Sequence, residues 1–219
     1  MNKGYNPSKK LSPEATLVLN FRRINNIVRC NNFPKIRNED VGQHTTHVTL
    51  LAMIIADEIN AIACTSEQVP QVDVLEIMRK AILHDMDEAF TSDIPWNIKH
   101  SSKELNKSIQ SAINQKMEKR YKECSAEFNS YFRLAKDCKE GLTGLIVDLA
   151  DMLELALYAA EEVHMGNAYM YSLLQRAYGL IGNLVYDWMY GIPTFNSLYG
   201  YLGETLESSE NALLAIDLD

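Results

Sequence analysis

Asp73-Val-Leu-Glu-Ile-Met-Arg-Lys-Ala-Ile-Leu-His84-Asp85-Met-Asp-Glu88-Ala-Phe90 is the stretch on which the reading of this chain turns. Asp73 suits a helix cap, and the apolar run that follows ends in an adjacent histidine and aspartate. A helix sets neighbouring side chains about 100° apart, so His84 and Asp85 can grip one ion from two sides. Glu88, four residues after His84 and three after Asp85, shares their side of a helix over 74–90. Imidazole together with carboxylate suits Mn, Co, Zn, Ni or Fe, whereas a cage of oxygens alone suits Mg or Ca better. A lone His-Asp pair is also what a helix-end ion pair looks like, so the pair needs company.

Company is found on both sides. His44 stands near the start of a long apolar helix read over 41–63, at the rim of what must be a buried segment. Asp148 and Asp151 lie at i and i+3 in the apolar run Leu145-Ile-Val-Asp-Leu-Ala-Asp-Met-Leu-Glu-Leu-Ala-Leu157. Carboxylates there are costly unless paired or metal-bound, and Asp148 alone is equally readable as a surface ion pair. His47, three residues after His44, reads most plainly as a satisfied structural histidine.

Helical periodicity dominates the rest, with no convincing alternating strand run. Ser12 caps and Pro13 opens a first helix whose apolar face is Leu17, Phe21, Ile24 and Val28. A polar loop over 31–40 precedes the helix 41–63, and an ordered loop over 91–100 follows the decisive stretch. Further helices are read over 101–124, 141–164 and 168–190, and the tail from Phe195 is weakly periodic. The expected architecture is an all-α bundle of six or seven helices. It forms a single domain over 1–219, with its core over about 12–190 and a C-terminal extension over 191–219.

With 219 residues, 47% of them hydrophobic, one domain with a sizeable core is the natural fit. Twenty-one basic against 29 acidic residues leave a formal charge of −8. That disfavours a nucleic-acid coat or a basic membrane-surface protein, but leaves room for a small anionic ligand held with a metal and a few local cations. Apolar runs such as 48–56 fall short of the roughly 18 residues of a spanning helix. Residues 1–11 are polar and lack the apolar centre of a secretory signal. The four cysteines are widely spaced without a CxxC pair, as reduced thiols of a cytoplasmic protein would be.

The order His44, His84-Asp85, Asp151 is similar to that of the HD-domain metal-dependent phosphohydrolases. The chain most resembles the bacterial 5′-deoxynucleotidases of the YfbR-like group. Carrying the resemblance are Asn31-Asn-Phe-Pro34, Glu39-Asp-Val-Gly-Gln-His44, His84-Asp-Met-Asp-Glu88, Asp93-Ile-Pro95 with Lys99, Ala150-Asp-Met-Leu153, Glu161-Glu162 and Gly166-Asn167. It runs over about 17–190.

The resemblance implies a single HD-domain helical bundle with His44, His84, Asp85 and Asp151 as ligands of a divalent transition metal, magnesium also being admissible. It implies Glu88 as catalytic acid/base and Asp93 as a second active-site carboxylate. It further implies a nucleotide substrate, no nucleic-acid polymer or membrane as partner, and a homodimer or higher homo-oligomer. Such nucleotidases carry an arginine before the aromatic residue of the first loop, where it grips phosphate; here Asn32 precedes Phe33. Lys35, Arg37 and Lys99 are the nearby replacements. Arg37 is preferred because a guanidinium binds phosphate as a fork. Phe33 is readable both as a stacking platform for base or sugar and as a core aromatic beside Pro34.

The leading expectation is hydrolysis of a deoxynucleoside 5′-monophosphate to deoxynucleoside and phosphate. Its rivals are a dNTP triphosphohydrolase of the kind found among small phage HD proteins, a cyclic- or signalling-nucleotide phosphodiesterase, and a non-catalytic HD-type binding or regulatory protein.

Overall fold

Ser12 Oγ accepts the Ala15 N–H at 3.1 Å and Pro13 occupies the first turn, so α1 (Pro13–Phe21) starts where its cap dictates. This is a computed structural model, describing residues 11–95, 98, 101–137 and 140–216, without the side chains of 131, 132, 135 and 211–216. α1 stops at Phe21 and a 3-10 turn, Arg22–Asn26, continues the chain. The helical face expected to reach Val28 is therefore cut short. Val28 instead forms an isolated antiparallel bridge with Asp40, which closes the loop between them at its base.

α2 (Val41–Ala63) opens on a capping box in which Asp40 and Gln43 satisfy each other's backbone N–H. That box fixes the helical register, placing His44 inward with Val41, Val48, Ala52, Ile55 and Ile59, all fully buried. By length and composition α2 could cross a membrane, yet its inward face packs on other helices of the bundle. α3 (Val74–Leu83) follows the Asp73 cap. The expected surface helix over 101–124 is α4 (Lys103–Tyr121), and a further serine cap, Ser125, starts a separate helix, α5 (Ala126–Lys136).

α6 (Gly141–His164) is the central strut. Ile146, Val147, Leu149, Ala150, Leu153, Ala156, Ala159 and Ala160 bury almost its whole circumference against α2, α3, α7 (Tyr171–Leu184) and α8 (Pro193–Ile216). The tail expected as a weakly periodic extension is helix α8, and its Phe195 and Leu202 belong to the main core. Tyr199 of α8 stacks on Tyr178 of α7 with ring centroids 4.3 Å apart. A second, smaller core joins Leu17, Met86, Ile113, Met117 and Tyr121. The described residues thus form an all-α bundle of eight helices beyond single turns, more than the six or seven read from periodicity. The additional segments, α5, which Ser125 caps, and α8, which Pro193 opens, are not marked by long apolar runs.

The central position of α6 makes Leu149 a sensitive probe. Leu149→Ala, at a fully buried site, should destabilise the fold by about 2–5 kcal/mol through lost burial and the cavity left behind. Urea denaturation of the two proteins measures it.

Candidate metal centre

α3 ends at Leu83 with His84 as its C-cap. The backbone then tightens into i→i−3 bonds, Met86 N–H to the Leu83 carbonyl and Glu88 N–H to the Asp85 carbonyl, both at 3.1 Å. A one-turn helix, Glu88–Thr91, follows. The continuous helix expected over 74–90 is therefore broken at His84. The cause is local: His84 Nδ1 lies 2.7 Å from the Ala81 carbonyl oxygen, the acceptor that an uninterrupted helix would give to Asp85. Tight turns eclipse residues three apart, so Asp85 and Glu88 still face one side.

Three elements bring the four expected ligand residues together. His44 comes from α2, His84 and Asp85 from the turn after α3, and Asp151 from α6. His44 Nε2 lies 3.2 Å from His84 Nε2, 3.2 Å from Asp151 Oδ1 and 3.5 Å from Asp85 Oδ2. His84 Nε2 lies 3.2 Å from Asp85 Oδ2 and 3.9 Å from Asp151 Oδ1. His44, His84 and Asp151 are buried.

The partners on the far side of each ring assign the tautomers. A carbonyl only accepts, so His84 Nδ1 carries the proton facing Ala81, and Nε2 of the neutral ring is left with a lone pair. His44 Nδ1 touches Glu154 Oε2 and lies 2.6 Å from Arg29 Nη1. Arg29 Nη1 already donates to Glu39 Oε2 at 3.0 Å and Glu154 Oε2 at 3.1 Å. The His44 Nδ1 proton therefore goes to Glu154, and when the ring is neutral its Nε2 lone pair joins the others. Neutral rings and ionised carboxylates would then place lone pairs against one another, an arrangement that calls for a cation. Two imidazole nitrogens and two carboxylate oxygens fit a divalent transition metal.

Titration follows the same logic. Burial and the Arg29 charge work to lower His44, but Asp151, Asp85 and Glu154 outweigh them and hold the imidazole well above its ordinary value. Burial opposes ionisation of Asp85, yet His84 and His44 keep its carboxyl well below the usual range. On the far side, burial and neighbouring Glu154 push Glu39 up to about 7. Glu154 itself, despite burial, is drawn down to about 2 by His44 and Arg29.

The cluster opens into a cavity of about 820 Å³. Glu88, Asp93 and Phe33, all expected at the site, line it, as does Asp148. Asp93 Oδ2 accepts the Cys30 N–H at 3.2 Å. Cys30 and Ser92 are the non-glycine residues with positive φ, 52° and 63°, among the described residues, so the two loops meeting at Asp93 are locally strained. Two of the three expected phosphate clamps, Arg37 and Lys35, are not brought there. Arg37 pairs with Glu161 and is more than half exposed, outside the cavity lining. Lys35 Nζ bonds the Arg29 carbonyl and lies 3.1 Å from Asn31 Oδ1, stapling its own loop. Lys99 and the segment 96–97 lie outside the described residues. His47 is exposed, 3.4 Å from Glu154 Oε1.

Instead Arg29, three residues before Asn32, lines the cavity beside Asp85 and Asp151. Sequence reasoning also missed Glu154. Its signal was available: Asp151, Glu154, Tyr158 and Glu162 repeat at spacings of three, four and four along α6, one polar stripe on an apolar helix. That stripe seats the loop. Tyr158 Oη donates to the Arg37 carbonyl at 2.7 Å, and the Glu162 carboxylate accepts the Ile36 and Arg37 N–H groups at 2.8 and 2.7 Å.

Comparison with known proteins gives the same picture. The family model of YfbR-like 5′-deoxynucleotidases matches residues 17–184. Among solved structures, an HD-domain phosphohydrolase from Listeria innocua superposes with a TM-score of 0.73 at 23% identity, covering 93% of this chain and 97% of that one. The PH0347 protein of Pyrococcus horikoshii OT3 gives 0.66 at 19%, covering 86% and 99%. The HD phosphohydrolase DatZ of cyanophage S-2L, solved with dA and one catalytic Zn2+ ion, gives 0.56 at 15%, covering 87% and 96%. At these identities the likeness is one of fold. No curated protein matches the chain.

The raised His44 value carries a pH signature. Its stabilising share is fully present below the ordinary value of 6.5 and is lost as the pH rises through the higher folded value. A divalent cation held by neutral imidazoles supplies the missing positive charge there. With chelator, Tm should fall as the pH rises above 6.5, and the Tm increment given by Mn2+ should grow over the same range. Thermal melts with EDTA or Mn2+ across pH check this; an increment that shrinks with rising pH would contradict it.

Proposed function

We propose a reaction for this chain, which belongs to the YfbR-like 5′-deoxynucleotidase family. It is a divalent-metal-dependent phosphohydrolase that converts deoxynucleoside 5′-monophosphates to deoxynucleosides and phosphate. The observation that carries this reading is the convergence of His44 Nε2, His84 Nε2, Asp85 Oδ2 and Asp151 Oδ1 beside a nucleotide-sized cavity that Asp85 and Asp151 line. His44, His84, Asp85 and Asp151 would hold the metal, for which Mn, Co, Zn, Ni or Fe fits the donors and the Zn2+ of DatZ is a precedent. When bound, such a cation neutralises phosphate charge and makes water more acidic.

The chain's own groups do the rest. Glu88, buried on the cavity wall, takes a proton from the attacking water or returns one to the leaving 5′ oxygen. Water oxygen bonds to phosphorus as the bond from phosphorus to the 5′ oxygen breaks. Arg29, whose Nη1 is held by Glu39 and Glu154, presents the remaining N–H groups of its guanidinium to the substrate phosphate, where charge-assisted bonds position it for attack. Phe33, Leu155, Leu173 and Leu180 offer an apolar wall to the nucleoside. Asp93 ties the Cys30 loop across the cavity edge. The same proposal includes one catalytic domain and a homodimer or higher homo-oligomer, as the family resemblance implies, and a cytoplasmic location, which the widely spaced cysteines suit.

A second reading is removal of a whole triphosphate from a dNTP. It is supported by a second arginine, Arg176, on the cavity wall and by the cavity's size. Incubation with dNMPs, dNTPs and NMPs under Mn2+, Co2+, Zn2+ or Mg2+ tests both. Orthophosphate from dNMPs supports the first reading, and tripolyphosphate from dNTPs supports the second. Hydrolysis of neither by metal-loaded protein would contradict both.

Two variants test the roles. Glu88→Gln should retain bound Mn2+ while kcat falls roughly 10²- to 10⁴-fold, the usual span for a positioned acid/base group; metal analysis beside steady-state kinetics reads both. Arg29→Met should raise KM for the nucleotide, whereas Arg37→Ala should leave KM unchanged, since Arg37 faces Glu161. A normal KM for Arg29→Met with a raised one for Arg37→Ala would move the clamp to the outer loop.

A further inference from the structure

A second convergence of potential ligands lies behind the first. Glu39, His44 and Glu154 are all buried, with one ligand atom from each within 4.8 Å of the others. This set shares His44 with the metal cluster but approaches the ring from the Nδ1 side. Its centre already holds a cation: Arg29 Nη1 sits 3.0 Å from Glu39 Oε2, 3.1 Å from Glu154 Oε2 and 2.6 Å from His44 Nδ1. A guanidinium so placed answers the charge of the two glutamates and disfavours a second metal there. What it leaves to Glu154 is a hydrogen bond to His44.

We propose that Glu154 is a positioning residue for His44, and that Arg29 and Glu39 hold it in that role. Glu154 Oε2 accepts the Nδ1 proton of His44, fixing the tautomer whose Nε2 lone pair faces Asp85, Asp151 and His84. The carboxylate also sets the ring plane and enriches electron density on the opposite nitrogen.

The support is built into the backbone. Glu154 follows Asp151 by three residues on α6, so one helix face supplies both a metal-side carboxylate and the one behind His44. Arg29 is brought beside Glu39 by the Val28–Asp40 bridge, and its N–H donates to the Glu39 carbonyl at 2.9 Å. Glu154 Oε1 is turned to His47, at 3.4 Å. One carboxylate is thereby committed at both oxygens, away from the metal cluster.

This inference rests on the reading of His44 as a metal-binding residue, so the experiment separates the two. Binding of Co2+ to the wild-type protein, followed by calorimetry and by the visible absorption of the ion, tests His44 through His44→Ala. The same titration of Glu154→Gln tests the positioning role, with an expected loss of affinity of roughly 10- to 100-fold and an altered Co2+ spectrum. Glu154→Asp, which keeps the acceptor on a shorter arm, should recover part of that loss. Long-range 1H–15N spectra of the Zn2+-loaded wild-type protein give a readout that needs no variant to fold: His44 should carry its proton on Nδ1 and bind through Nε2. Binding through Nδ1, or wild-type Co2+ affinity and spectrum in a folded Glu154→Gln protein, would overturn the proposal. Loss of Co2+ binding in His44→Ala but not in Glu154→Gln would overturn it while leaving the metal site intact.

Discussion

Lone pairs of like kind do not willingly meet in a protein interior. His44 Nε2 and His84 Nε2 lie within 3.9 Å of each other and of Asp85 Oδ2 and Asp151 Oδ1, and when both rings are neutral the groups behind them hold the ring protons on the far side. Bringing such groups out of water is costly unless a positive charge sits among them. Much else in the molecule can be understood as the scaffold for that cluster. The capping box at Asp40 sets the register of α2 so that His44 points inward. The break after Leu83 turns His84 and Asp85 toward the same point. The buried strut α6 delivers Asp151 from the third side.

The loop between α1 and α2 belongs to the same design. It is closed at its base by the Val28–Asp40 bridge and pinned along α6 by Tyr158 and Glu162. Asn167 Nδ2 adds a bond to the Pro34 carbonyl at 2.9 Å. These contacts are short and buried or half-buried, which makes the loop a fixed wall and gives Arg29 and Phe33 defined places on it. With Arg29 as the proposed phosphate clamp, a fixed wall of this kind would orient an anionic substrate before reaction, which is where much of the rate advantage of a positioned site originates. The family assignment and the donor chemistry agree on hydrolysis assisted by a divalent cation.

Much of this was legible in the sequence, and the exceptions are physical. His44, His84, Asp85 and Asp151 stand out because polar, ion-binding side chains in apolar helices need partners. The span of α2 was readable to its last residue because its cap and its apolar run coincide. The break at His84 was not, since it depends on a side-chain bond to Ala81 that periodicity does not encode. The helix α8 was faint because its burial is carried by a few residues, Phe195 and Leu202 among them. Arg29 escaped because loop residues carry no period: spacing along the chain favoured Arg37, whereas the bridge at the loop base turns Arg29 inward and the Glu161 pair keeps Arg37 out. Glu154 was the avoidable omission, for it lies on the stripe that Asp151 begins.

The central claim is that this cluster is a cation site, and anomalous X-ray diffraction from Mn2+-loaded crystals tests it most directly. The account predicts an anomalous peak bounded by His44 Nε2, His84 Nε2, Asp85 and Asp151, with Arg29 still between Glu39 and Glu154. A peak among Glu39, His44 Nδ1 and Glu154 with none at the first cluster, or no peak at either in fully loaded crystals, would contradict it.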